Sequence, residues 1–254
     1  MSGVTDAALA ADIAQGAGEL LLAVREEQQA AGEQDQKAIA RAGDARAQEY
    51  IAARLSQERP EDAVLSEEAK DDLARLEARR VWIIDPLDGT KEFSQGRHDW
   101  AVHVALWEEG DLSAAAVALP GIGQTLRTDE PPTIPAREDP SAPLRFAVSR
   151  SHPSELITAV IEASGGTAVA MGSAGYKVCA VVRGEADAYV HAGGQFEWDS
   201  AAPVAVARAA GLFTSRLDGT PMRYNQRDVY LPDLIVSAPE HVDRIRAAID
   251  AAGG

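Results

Sequence analysis

Two carboxylates three positions apart, Asp85 and Asp88, sit in Asp85-Pro86-Leu87-Asp88-Gly89-Thr90, directly behind the apolar run Val81-Trp82-Ile83-Ile84. Like charges held this close are costly unless something positive lies between them. A hard divalent cation such as Mg²⁺ fits, because it takes oxygen ligands, often one or two carboxylates plus waters and substrate phosphate. Gly89 lets a ligand approach the backbone. A helix starting after Thr90 would offer the free amides of Gly89, Thr90 and Lys91 to a phosphate oxygen. Asp, Gly and Thr are also ordinary turn residues. On local physics alone the hexapeptide reads equally well as a cation site or as a capped strand-to-helix turn.

The elements that must position these groups follow from residue pattern. Val81 to Ile84 are β-branched or aromatic and suit a buried strand. Pro86 cannot donate to a ladder, so the chain is expected to leave the sheet there, with Asp85 and Asp88 on a stiff loop at the sheet's carboxyl edge. Residues 5–29 have helical apolar spacing, with Thr5 or Asp6 as cap. A second helix is expected over residues 44–55, with Asp44 at its N-cap. Ala63-Val64-Leu65 reads as a short strand delivering Glu67 and Glu68. Trp100, Val102, Val104 and Leu106 alternate with Ala101, His103, Ala105 and Trp107 on a strand, and Glu108-Glu109-Gly110-Asp111 is a hairpin turn returning through residues 113–119. His103, inside that strand, reads as a structural histidine rather than a base, and His98 as solvent-facing.

The stretch 121–143 reads as a connecting loop, since residues 120–143 hold six of the 13 prolines. It is expected to join an N-terminal half, 1–120, to a C-terminal half, 144–254, with a short hairpin near residues 124–127. The second half alternates: strand 145–148, helix 154–163 capped by Ser154, strand 167–170, helix 173–183, strand 186–190, helix 199–210 ended by Gly211, strand 234–236 and helix 240–251. Such alternation implies α/β layers of helices and sheets.

Composition narrows the function. With 40 acidic against 24 basic residues the net charge is −16, which disfavours nucleic-acid polymers as partners. A small phosphorylated substrate is compatible only if cations neutralise the site. The single cysteine, Cys179, reads as a small buried hydrophobe. The N-terminus lacks a secretory pattern, and no apolar run is long enough for a membrane span, so the expected location is the cytoplasm.

Three elements in order carry a resemblance: Ser66-Glu67-Glu68, Asp85-Pro86-Leu87-Asp88-Gly89-Thr90 and Trp198-Asp199-Ser200-Ala201-Ala202. Together they resemble the motifs of the lithium-sensitive, Mg²⁺-dependent phosphomonoesterases, the inositol monophosphatase superfamily. The resemblance implies that superfamily's αβαβα sandwich. It also implies two or three Mg²⁺ ions held by Glu67, Asp85, the carbonyl of Leu87, Asp88 and Asp199. Thr90 and Asp44 would orient the attacking water, with Glu67 also in the catalytic set, and the amides of Gly89 and Thr90 would bind phosphate oxygens. At Asp44 the chain departs from the pattern: Ile39-Ala40-Arg41-Ala42-Gly43-Asp44 lacks the usual threonine, so Asp44 reads either as that acid or as a plain cap.

Ser-Glu-Glu, the extension Lys91-Glu92-Phe93 and Val148-Ser149-Arg150-Ser151-His152 are most similar to the CysQ-type 3′-phosphoadenosine-5′-phosphate phosphatases within that superfamily. That similarity implies a small nucleotide bisphosphate as substrate, contacted by Ser149, Arg150, His152, Ser173, Lys177, Trp198 and Asp199. Arg150, His152 and Lys177 read equally as surface charges or, for His152, a turn residue before Pro153. A homodimer agrees with the superfamily's habit. The competing expectations are an inositol-1-phosphatase or fructose-1,6-bisphosphatase, and a non-catalytic nucleotide-binding relative on the same fold.

Overall fold

The computed structural model describes residues 4–151 and 154–253. Helix α1 (Asp6–Ala30) is capped by the Thr5 hydroxyl, which accepts from the Ala8 amide at 3.2 Å. By length and composition α1 could cross a bilayer. Its apolar face is instead spent in the core, where Leu9, Ile13, Ala17, Leu21 and Val24 are buried. Helix α2 runs over Gln36–Glu58 from an Asp35 cap that accepts from the Lys37 amide at 2.9 Å. The expected start at Asp44 is therefore wrong by two turns, and Asp44 is not a cap. Gly43, inside the helix, is a close contact: a Cβ there would lie 2.8 Å from Phe93 and 3.1 Å from Leu87.

The first sheet has the order β1-β2-β3-β4-β5, formed by β1 (Ala63–Ser66), β2 (Arg80–Asp88), β3 (Ala101–Glu108), β4 (Asp111–Leu119) and β5 (Gln124–Arg127). β1 lies parallel to β2 and the remaining pairs are antiparallel. The hairpin between β3 and β4 turns through Glu109 and Gly110, both at positive φ. Strand β2 does not end at Ile84. Its pairing with β3 continues from Asp85 opposite His103 to Asp88 opposite Ala101, with a register shift between. Pro86 is thus absorbed by a bulge, a usual place for proline within a sheet.

The second sheet has the order β7-β6-β8-β10-β9, from β6 (Arg145–Ser149), β7 (Thr167–Met171), β8 (Ala188–Phe196), β9 (Phe213–Ser215) and β10 (Tyr230–Ser237). β6 pairs in parallel with both β7 and β8, whereas β10 is antiparallel to β8 and β9. Its helices are α4 (Glu155–Ala163), α5 (Ala174–Val182), α6 (Glu197–Ala209) and α7 (Val242–Ala251). The sequence reading lacks β9, and β8 extends well past Val190.

Side-chain alternation along the strands dictates the layering. Trp82, Ile84, Val102, Val104 and Leu106 face α1 and α2. Val81, Ile83, Ala105 and Val117 share a core with Val178 and Cys179 of α5 and Val204 of α6. Cys179 is fully buried there, which pushes its thiol up to about 12. On the outer face of the second sheet Phe146, Val190 and Ile235 meet Ile157 of α4 and Ile245 of α7. Helices, sheet, helices, sheet, helices is the expected αβαβα sandwich.

Candidate active site

The acids converge where β1 and β2 end beneath the start of α5 and α6. Asp85 is buried, and its Oδ1 accepts from the Leu87 amide at 3.0 Å. Burial raises its pKa well above the ordinary value, and Glu67, Asp88 and Asp199 push the same way. Glu67 follows β1, keeps a solvent-facing side and is also raised, by burial of its carboxyl and then by Asp88. Asp199 lies in the first turn of α6, two residues past its first residue, and accepts from the Phe196 amide at 2.6 Å. Burial and then Asp88 lift it to about 7. Asp44, half-buried on α2, is lifted to about 7 by burial and then by Glu68 and Glu67.

Asp88 behaves differently. Its Oδ2 accepts from Ser173 Oγ at 2.5 Å and the Gly175 amide at 2.6 Å, and its Oδ1 from the Ala174 amide at 3.1 Å. Burial pushes this carboxyl up, but His103, Ser173 and the Gly175 amide outweigh burial and bring it to about 2. Ser173 caps α5 at φ 52, an unfavourable backbone region for a residue with a Cβ, and its hydroxyl also accepts from the Tyr176 amide. Gly89 takes φ 93, a region that strains any residue with a side chain, and a Cβ there would lie 3.1 Å from Ser173 and 3.2 Å from Trp100. Thr90 begins the short helix α3 (Thr90–Ser94).

A cavity of about 650 Å³ adjoins the acids. Its polar side includes Asp88, Asp199, Ser149, Lys177 and Gln195, and its apolar side Val148, Ile157, Ile161, Ala168 and Val190. Lys177 is buried, donates to the Ser173 carbonyl at 2.6 Å and lies 5.3 Å from the Tyr189 ring. Burial lowers its pKa, against the pull of Asp88, Glu92 and Asp199. Trp198 stacks on Phe196 at 5.0 Å.

Arg150 is not among the residues lining that cavity. Its guanidinium donates to Asp99 Oδ2 at 2.5 Å and to the Ala170 carbonyl at 3.2 Å. The Asp99 carboxylate also accepts from the Gly172 amide at 2.6 Å and Arg97 at 3.0 Å. Arg150 is therefore engaged in a structural cluster around Asp99, which the sequence reading does not single out. The expectation for His152 lies outside the described residues. His103, expected to be a structural histidine rather than a base, lies against the acids of the site. It is fully buried, faces Asp88 and Asp85, and its Nδ1 lies 3.0 Å from the Trp198 carbonyl. The only signal in the sequence is that it shares a strand face with the residues opposite the Asp85 segment.

Asp44, Glu67, Asp85 and Asp199, all raised by burial and by neighbouring acids, form with Asp88 a donor set of hard oxygens that suits a divalent cation. Asp85, Asp88 and His103 alone place ligand-type atoms within 4.8 Å of one another.

Residues 4–252 match the model of the inositol monophosphatase family, and the chain belongs to that family of metal-dependent phosphatases. The chain is 51% identical over 245 residues to the 3′-phosphoadenosine 5′-phosphate phosphatase of Mycobacterium leprae, covering 92% of this chain and 89% of the relative. It is 30% identical over 183 residues to the 3′(2′),5′-bisphosphate nucleotidase CysQ of Escherichia coli K12, covering 68% of this chain and 74% of that protein. Among solved structures, CysQ from Bacteroides thetaiotaomicron superposes with a TM-score of 0.79 at 29% identity, over 92% of this chain and 97% of that one.

Proposed function

We propose that the protein is a Mg²⁺-dependent phosphomonoesterase that removes the 3′-phosphate of 3′-phosphoadenosine 5′-phosphate and of its 5′-phosphosulfate analogue. The products are AMP or adenosine 5′-phosphosulfate and inorganic phosphate, within cytoplasmic sulfonucleotide turnover. One observation carries the substrate class: the acidic cluster opens into a cavity of about 650 Å³ with a wall of Val148, Ile157, Ile161 and Val190. A nucleoside has the size and the apolar faces to use that wall, whereas a polyhydroxylated ring does not. The name of the 51% identical relative points the same way.

Glu67, Asp85, Asp88, Asp199 and the Leu87 carbonyl are the groups that would hold two or three Mg²⁺ ions. When bound, Mg²⁺ supplies Lewis-acid polarisation and compensation of phosphate charge. Asp44, near Glu67 and half-buried, and Thr90 orient the attacking water. The Gly89 and Thr90 amides bind phosphate oxygens. Lys177 and Ser149, on the cavity wall, meet the nucleotide, with Lys177 supplying positive charge. Ser173 acts through Asp88, whose oxygen it bonds, and Trp198 closes the side next to Asp199. Arg150 serves through its pair with Asp99 rather than by direct contact.

The test is phosphate release with Mg²⁺ from adenosine 3′,5′-bisphosphate, inositol 1-phosphate and fructose 1,6-bisphosphate. The expected preference for the nucleotide is at least about tenfold in kcat/KM, or about 1.4 kcal/mol. Asp85→Asn should lower the rate by at least about a hundredfold. Equal or reversed preference would overturn the nucleotide assignment.

A further inference from the structure

His103 sits on β3 as the register partner of Asp85, with its ring wholly enclosed. Its Nδ1 lies 3.0 Å from the Trp198 carbonyl, which can only accept, so that nitrogen carries a proton and donates. The other nitrogen, Nε2, is 3.3 Å from Asp88 Oδ2, an ionic contact rather than an aligned hydrogen bond. The ring cannot swing away. A Cβ on Gly175 would come within 1.9 Å of Nε2, so the glycine backbone lies against it. The Gly175 amide and Ser173 hydroxyl bond the same Asp88 oxygen at 2.6 and 2.5 Å. Oδ2 is therefore enclosed on three sides, and Oδ1, with one contact at 3.1 Å, is the less engaged oxygen.

We propose that His103 is a positioning residue for the acidic centre. One arm holds the carbonyl immediately before Asp199, and the other pins Asp88 Oδ2. Acids carried by the first sheet and by α6 thereby keep a fixed spacing for the cation. This rests on the reading of Asp88 and Asp199 as cation ligands.

The two arms can be separated. In His103→Asn the amide nitrogen replaces Nδ1 and keeps the bond to Trp198. In His103→Gln it reaches the place of Nε2 and keeps a donor toward Asp88. Val117→Ala is the control, because Val117 is the buried register partner of His103 on β4, belongs to the apolar core and carries no polar atom. Mg²⁺ is titrated into each metal-stripped protein, without substrate, by calorimetry and thermal shift. The expected result is a dissociation constant raised at least about tenfold in His103→Asn, which loses the arm on Asp88, raised by a smaller factor of about threefold or more in His103→Gln, which loses the arm on Trp198, and unchanged in Val117→Ala. Should His103→Asn not fold, Gly175→Ala, which displaces the ring, reads the same constant. A parent-like constant in His103→Asn, or an equal loss in Val117→Ala, overturns the proposal. No Mg²⁺ binding by the parent protein would instead overturn the cation reading beneath it.

Discussion

Replacing Asp199 by asparagine should harm the enzyme and stabilise the metal-free protein. In the folded chain Asp199 is lifted from 3.8 to about 7, by burial first and then by Asp88. An acid raised in this way contributes its full stability below about pH 4, and that contribution is lost as the pH rises through about 7. Above that range the metal-free protein carries an ionised group it disfavours. At about 1.36 kcal/mol per unit, the ceiling on this cost is roughly 4 kcal/mol. Asp199 keeps some contact with solvent and a bond from the Phe196 amide, so about 2 kcal/mol is the working figure. Asparagine retains an acceptor for that amide and removes the charge. For a chain of this size, Asp199→Asn should therefore raise the metal-free Tm by about 4–8 °C at about pH 8 and hardly at all at about pH 4. Saturating Mg²⁺ should reverse the order, because a ligand that binds only the folded parent adds about 2.7 kcal/mol at a hundred times its Kd. Thermal melts at both pH values, with and without Mg²⁺, decide the matter. A variant no more stable than the parent at the higher pH, or an equal gap at the lower, would refute the reasoning.

Two further outcomes follow from the packing. Ile161→Trp fills the apolar side of the cavity, so it should raise KM for adenosine 3′,5′-bisphosphate by at least about tenfold while leaving hydrolysis of a small aryl phosphate within about twofold, measured by steady-state kinetics. Asp35→Ala removes the observed cap of α2 and should cost about 1 kcal/mol in a denaturant melt, whereas Asp44→Asn, mid-helix and lifted to about 7 like Asp199, should raise metal-free stability at about pH 8 and lower the rate of phosphate release.

Much of the site is legible in the sequence because its acids lie in short local patterns. Asp85 and Asp88 lie at the end of a strand with clear β-branched or apolar character, Glu67 directly follows another, and Ser154 and Thr5 are caps of the usual type. What escapes is set by distant chain. The second helix is expected to start at Asp44, yet it runs through Gly43, where a Cβ would meet Phe93 and Leu87. Arg150 reads equally as a phosphate contact or as a surface charge, and only the fold reveals Asp99, 51 residues away, as its partner. His103 looks like an ordinary strand residue, since the carbonyl that gives it meaning is 95 residues downstream. Pro86 signals an exit from the sheet, and a bulge lets the strand continue.

The bonds that hold Asp88 also impose an order in time. Its oxygens are satisfied by Ser173, Ala174 and Gly175, the first of which is made 85 residues later. At about 5–20 residues per second, a growing chain carries Asp85 and Asp88 for roughly 4–17 s before those donors exist. Until then the nascent protein has Asp88 without the hydroxyl and amides that orient it. On the proposed reading ion capture is thus a late event of biosynthesis, and a chain stalled before α5 would present Asp88 without three of the donors that fix it.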